Sequence, residues 1–233
     1  MFFVAFEGGE GSGKSTQSKL LYERIIAEGF SSLLLHEPGG TSVGEEVRRI
    51  LLAERGTNGK KSVRAKNATM NSLTELFLFS SARSELIEKV IKPNLDKDTI
   101  IICDRFIAST IAYQGYGRQI DLDIVENIIN ISTRGIKPDL TILLSVEPDK
   151  ALDRVNSQLS LLDNISNSIE KENPRMDVEG RRRFELESIN FHKRVFQGYT
   201  NMSKDSSWIT IDATKSIEEI HDIIWTNIQK LLR

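Results

Sequence analysis

The sequence predicts a three-layer α/β fold, in which helices cover both faces of a five-stranded parallel sheet. Three observations carry this expectation. Five short apolar runs, Phe2–Phe6, Ser32–Leu35, Thr99–Cys103, Leu140–Val146 and Trp208–Ile211, are continuous rather than alternating, as in strands covered on both faces. Segments with helical spacing lie between them. Strand and helix therefore alternate along the chain, an order that favours right-handed crossovers between parallel strands.

Each element follows in turn. The first run leads into a glycine-rich turn and then a helical segment through Leu20, Leu21 and Ile25. Residues Glu54 to Asn71 carry Gly56, Asn58, Gly59, Lys60, Lys61, Arg64 and Lys66 with little apolar support, so they read as a solvated loop between two helices. The third run ends in Cys103-Asp104-Arg105-Phe106, which places charge at the carboxyl end of a buried strand. A second polar stretch, Asp163 to Gly180, precedes an arginine cluster and reads as a lid over approximately 163–183. After the fifth run, Ile217, Ile220, Ile224, Ile228 and Leu231 form one apolar stripe along the last helix. No internal repeat occurs and no linker separates two cores, so residues 1–233 are expected to form one domain.

Composition narrows the partners. Against 31 basic residues stand 33 acidic ones, a net charge of −2, so no excess positive charge exists to hold a nucleic acid. Any bound anion needs a local site. One cysteine, Cys103, cannot form an intramolecular disulfide, which points to a reducing, cytoplasmic setting. The apolar N-terminal run meets Glu7 too early for a secretory signal, and no run is long enough to span a membrane.

Directly after the first run comes Gly8-Gly9-Glu10-Gly11-Ser12-Gly13-Lys14-Ser15, a G-x-x-x-x-G-K-[ST] loop between a predicted strand and a predicted helix. The glycines let successive backbone N–H groups turn toward phosphate oxygens, and the helix N-terminus adds positive potential. Lys14 would bridge the β and γ phosphates of a nucleoside triphosphate, and the Ser15 hydroxyl would ligate Mg²⁺. The guanine-reading Asn-Lys-x-Asp segment of a GTPase is absent, and the chain is short for an ATP-driven motor. A small kinase remains, in which loop, metal and a few arginines hold two phosphate-bearing reactants in line. Asp104, at a strand's carboxyl end, suits Mg²⁺ or its waters, and Arg105 suits the charge of an acceptor phosphate.

The segment Asp104-Arg105-Phe106-Ile107-Ala108-Ser109-Thr110-Ile111-Ala112-Tyr113-Gln114-Gly115 resembles the Asp-Arg-aromatic to Tyr-Gln-Gly segment of thymidylate (dTMP) kinases. Glu37-Pro38-Gly39-Gly40-Thr41, Phe79 to Arg83, and Phe191-His192-Lys193-Arg194-Val195 to Gly198-Tyr199 agree in order and spacing, so the similarity runs over nearly the whole chain. The resemblance implies the P-loop NTPase fold and transfer of the ATP γ phosphate to dTMP, with Mg²⁺, on the way to dTTP. It places Phe79 on the pyrimidine face and Arg83 on a base carbonyl, one helical turn apart. It assigns Arg48 and Arg105 to the monophosphate, Tyr113 to the sugar 2′ side, Glu10 to the 3′ hydroxyl, and Ser109, Thr110 and Gln114 to the same pocket. Arg154 and Asp212-Ala213 resemble segments flanking adenine.

Some family members carry an arginine directly after the acidic loop residue. Here that position is Gly11, which resembles the bacterial type with lid arginines, and Arg175 and Arg183 are favoured over Arg181 and Arg182. His36 stands where the family commonly has arginine before Glu-Pro-Gly-Gly-Thr. The family pairs as homodimers, for which Leu76, Leu86 and Ile87 could serve, or they could be core. The rivals are a deoxynucleoside kinase, whose acceptor lacks a phosphate, and a non-catalytic nucleotide-binding regulator.

Overall fold

The structure is a computed structural model that describes residues 2–52, 70–95, 97–155, 157, 184 and 187–232. Five parallel strands run in the order β2-β3-β1-β4-β5: β1 (Phe2–Glu7), β2 (Ser31–His36), β3 (Thr99–Asp104), β4 (Leu140–Ser145) and β5 (Trp208–Asp212). All five apolar runs become strands, each within one or two residues of its expected limits. Helices α1 (Lys14–Ala27), α2 (Ser42–Leu52), α3 (Ser72–Leu86), α4 (Ile107–Thr110), α5 (Leu122–Thr133), α6 (148–155), α7 (Ile189–Met202) and α8 (Ile217–Leu231) connect them. A π-helical segment, Ile111–Gly117, continues directly from α4.

Alternation along the strands divides the core into the two layers expected of this class. Val4 and Phe6 of β1 and Ile100 and Ile102 of β3 turn to one face, where Leu21 and Ile25 of α1 and Ile220, Ile224 and Ile228 of α8 cover them. Phe3, Ala5, Ile101 and Cys103 turn to the other, under Leu86, Ile87, Ile91 and Phe106. Continuous burial holds for β1, β3 and β4 only. The edge strands β2 and β5 leave several positions open, because each has a neighbour on one side alone. The stripe on α8 is likewise narrower than expected, since Ile217 and Leu231 at its ends stay half exposed. Leu76, Leu86 and Ile87, open between dimer contact and core, are fully buried and belong to the core.

Capping shows which helix ends are closed. Asn71, Asp121 and Ser188 each accept a backbone N–H at the start of α3, α5 and α7, and Ser216 forms a reciprocal capping box with Glu219 on α8. By contrast α1 starts after Gly13 at φ 89° with no side-chain cap, so its first amides keep their donors for a ligand. Among the described residues no helix is long and apolar enough to cross a membrane. The proposed lid at 163–183, with Arg175, Arg181, Arg182 and Arg183, lies outside the described residues, as does nearly all of the 54–71 loop.

Candidate active site

The C-terminal ends of β1, β2 and β3 converge on a cleft of about 280 Å³. Its lining includes Glu10, Gly11, Gly13, Lys14 and Ser15 from the loop after β1, and His36, Glu37, Pro38 and Arg48 from the end of β2 and α2. Phe79 and Arg83 enter from α3, and Asp104, Arg105, Ser109, Thr110, Tyr113 and Gln114 from the end of β3 onward. Most of the sequence-predicted site residues that are described thus share one cavity, although Gly8, Gly9 and Ser12 of the loop do not line it. Arg154 does not line it; its Nη1 donates to Ala213 O at 2.8 Å, which joins the two segments expected to flank adenine.

The loop is shaped by close backbone approach. Gly8 has φ 144°, and a Cβ there would lie 2.5 Å from Leu144 O. Gly11, at φ 69°, would set a Cβ 2.7 Å from Ala151 O and 2.9 Å from Val155 Cγ2, so the loop in this conformation has no room for a side chain there. Lys14 Nζ donates to Gly9 O at 2.6 Å and Ser12 Oγ at 3.2 Å. Burial and the neighbouring Arg105 lower its pKa to about 8, against the partial support of Glu10 and Asp104. Ser15 Oγ donates to Asp104 Oδ2 at 2.5 Å, while Asp104 Oδ1 is buried without a hydrogen-bond partner among the described residues.

Arg105 occupies the left-handed region at φ 70°, a conformation that costs a non-glycine residue on the order of 1 kcal/mol. The surrounding contacts hold it there: its N–H donates to Phe6 O, Nη1 to Gly8 O and Ser109 Oγ, and Nη2 to Glu10 Oε1 at 2.8 Å. Glu10 also accepts from Tyr113 Oη at 2.9 Å. Burial pushes the Glu10 carboxyl up, but Arg105, Lys14 and the Tyr113 hydroxyl outweigh it and hold its pKa at about 2. Glu10 is therefore built into the cleft and is not a solvated loop tip.

Beneath these groups lies Glu7, the last residue of β1 and fully buried. It accepts from Phe106 N, Ser109 N, Ser109 Oγ and Tyr199 Oη at 2.9, 3.1, 2.6 and 3.0 Å. Burial raises its pKa against the hydrogen bonds from Ser109 Oγ, Phe106 N and Tyr199 Oη and the charge of Arg105. On the opposite wall, Arg83 is 1% exposed, and its Nε and Nη2 clasp Glu37, with Nη2 also on Thr110 Oγ1 at 2.8 Å. Its Nη1 is buried without a partner among the described residues. Arg48 Nη1 donates to Pro38 O at 2.9 Å, and His36 Nε2 lies 3.1 Å from Glu45 Oε1 at the rim.

Sequence reasoning named no role for Glu7, Glu37, Glu75 or Tyr199. Glu37 and Tyr199 stand inside the motif segments, and Glu7 is a lone charge closing an apolar run; Glu75 had only its spacing of one turn from Phe79 as a signal.

The family model described as thymidylate kinase matches residues 6–224. The chain belongs to the thymidylate kinase family. It is 37% identical to a thymidylate kinase of Geotalea daltonii over 228 residues, covering 97% of this chain and 95% of the relative. It is 36% and 38% identical to those of Halothermothrix orenii and Dehalococcoides mccartyi, each over 99% of this chain and 97% of the relative. The family resemblance carried by the segments around Glu37, Phe79, Asp104 and Phe191 is thus borne out over almost the full length.

Proposed function

We propose that this chain is the enzyme that transfers the γ phosphate of ATP to the phosphate of dTMP, yielding dTDP and ADP. One observation carries the reading. A single cleft holds the phosphate loop with Lys14 and Ser15 as well as the base-sized wall of Phe79, Arg83 and Gln114, and Arg105 is bonded both to loop residues and to Tyr113.

The triphosphate lies along the loop amides and the uncapped start of α1, with Lys14 against its β and γ oxygens. Ser15 Oγ and Asp104, whose Oδ1 lacks a partner, form an oxygen-only pair that fits Mg²⁺. When bound, that ion neutralises charge on the β and γ phosphates. Arg48 and Arg105 hold the acceptor monophosphate by guanidinium contacts. Glu10, ionised at neutral pH, accepts from the sugar 3′ hydroxyl, and Tyr113 closes the 2′ side. The ring of Phe79 stacks on thymine, Arg83 Nη1 donates to a base carbonyl, and Ser109, Thr110 and Gln114 complete the pocket.

An acceptor phosphate oxygen then attacks the γ phosphorus, an O–P bond forms, and the bridging bond to ADP breaks. No covalent enzyme intermediate is involved, because the acceptor is already an anionic nucleophile and positioning with charge neutralisation supplies most of the rate. Arg175 and Arg183 of the proposed lid add charge during transfer, Arg154 flanks adenine, and the enzyme works in the cytoplasm as a homodimer whose contact is not made by the buried Leu76, Leu86 and Ile87.

With ATP labelled at the γ phosphate, the label is expected in dTDP when dTMP is present. Label released only as inorganic phosphate, or binding of ATP without turnover, would refute transfer.

A further inference from the structure

Gln114 is 1% exposed and lines the cleft, and its Nε2 donates to Glu75 Oε1 at 2.8 Å. Glu75 is fully buried on α3, and Arg118 clasps both its oxygens, with Nε on Oε1 and Nη2 on Oε2, each at 3.1 Å. Glu187 in turn receives Arg118 Nη1 at 2.7 Å. A carboxylate is acceptor-only, so a side-chain amide beside it must present its NH₂. One N–H of the Gln114 amide is thus held by Glu75, and Oε1, on the other side of the amide, is the acceptor presented to the cleft.

We infer that Glu75 is the positioning residue that sets base discrimination, by fixing the Gln114 amide so that it offers an acceptor, and not a donor, to the base edge. The inference rests on the thymidylate reading of the cleft. Arg83 supplies the complementary half of the pattern: Glu37 and Thr110 take its Nε and Nη2, and the unpartnered Nη1 remains as a donor. Donor beside acceptor matches the adjacent carbonyl and N3–H of thymine or uracil. Cytosine has the reverse, an amino group and a bare ring nitrogen, and would leave both protein groups facing like partners in a buried site. Each group left unpaired in the buried site lowers the rate for cytosine about tenfold or more. Arg83 is held by Glu37 and Thr110, and Gln114 by Glu75, and the two clasps are joined through α3 and through the continuous α4–π-helical segment.

The test is the ratio of kcat/KM for dTMP to that for dCMP. In Glu75→Gln the partner amide can donate or accept, so Gln114 is free to turn over, and the ratio is expected to fall by about tenfold or more. Glu75→Asp keeps an acceptor-only partner, and its ratio is expected to stay near the parent value even if both rates drop. Equal ratios in Glu75→Gln and the parent overturn the inference, as does an equal collapse in both Glu75 variants, which marks mere packing. Should Glu75→Gln not fold, Gln114→Leu decides, since it leaves the Glu75–Arg118 pair intact: collapse of the ratio supports the assignment and an unchanged ratio overturns it. A parent enzyme that does not phosphorylate dTMP defeats the functional reading itself, which separates the two failures.

Discussion

Ser15 Oγ donates to Asp104 Oδ2 at 2.5 Å, fastening the first turn of α1 to the last residue of β3. The contact crosses adjacent parallel strands β1 and β3, so the phosphate loop and the acceptor side are registered by the sheet itself. Asp104→Asn keeps the hydrogen bond but removes the charge. Its kcat is expected to fall about a hundredfold with little change in melting temperature, and the Mg²⁺ concentration for half-maximal rate should rise. Chelation by EDTA should abolish turnover in parent and variant alike. An Asp104→Asn enzyme with the parent's metal dependence would remove Asp104 from the metal site.

The Glu37–Arg83 pair is buried on both sides, with the closest contact at 2.6 Å. Removing one partner strands the other charge. Glu37→Ala is expected to cost about 3 kcal/mol in urea unfolding and to raise KM for dTMP, because Arg83 loses the clasp that aims Nη1. Burial raises the Glu37 carboxyl's pKa, opposed by Arg83. A variant with parental stability and KM would contradict this account.

Burial and Arg105 put the Lys14 pKa at about 8, below its ordinary 10.5. The charged form is the one that phosphate needs, so kcat/KM for ATP is expected to fall about tenfold per pH unit above that value. Bound phosphates favour the ammonium, so kcat should stay flat further into alkali. The sign for stability is opposite: folding disfavours the charged lysine, so its penalty is relieved as pH rises from about 8 toward 10.5. An alkaline limb of kcat/KM found only near 10.5 would contradict the buried placement.

Gly11 meets Ala151 O and Val155 Cγ2 where a Cβ would stand, at a φ of 69°. Gly11→Arg is therefore expected to lose at least about 1 kcal/mol of stability and to leave a loss of lid charge in Arg175→Ala or Arg183→Ala uncorrected. A stable Gly11→Arg enzyme that restores such a variant would show that the loop can rearrange.

His36 faces Glu45 at the cleft rim, and Gly39 lies so close that a Cβ there would be 2.4 Å from its Nε2. His36→Arg is expected to lower KM for dTMP a few-fold at neutral pH by adding a fixed charge near the acceptor phosphate, about 1 kcal/mol at most for a half-exposed group. An unchanged KM would make His36 a structural neighbour of Gly39 only.

What the sequence disclosed depended on how local the signal was. The strands and the Gly8–Ser15 loop were legible because continuous burial and phosphate geometry leave their mark in consecutive residues. Phe79 and Arg83 were legible through the family resemblance of the flanking motifs, since a phenylalanine at helical spacing is by itself more often core than a ligand stack. Glu7 and Glu75 were not, because their meaning lies in contacts to Ser109 and Tyr199, and to Gln114 and Arg118, far away in the chain. Exposure misled at the edges for the same reason: Leu34 on β2 and Ile217 on α8 continue an apolar pattern past the point where a neighbour covers it.

The most direct measurement of the central claim is ADP release with ATP and Mg²⁺ against a panel of acceptors: dTMP, dUMP, the ribose analogue of dTMP, CMP, AMP and unphosphorylated thymidine. The cleft predicts dTMP as the best acceptor, a loss of rate with the ribose analogue through Tyr113, and little or no turnover of thymidine, which offers Arg48 and Arg105 no phosphate. Equal rates with AMP or CMP, or efficient use of thymidine, would contradict it.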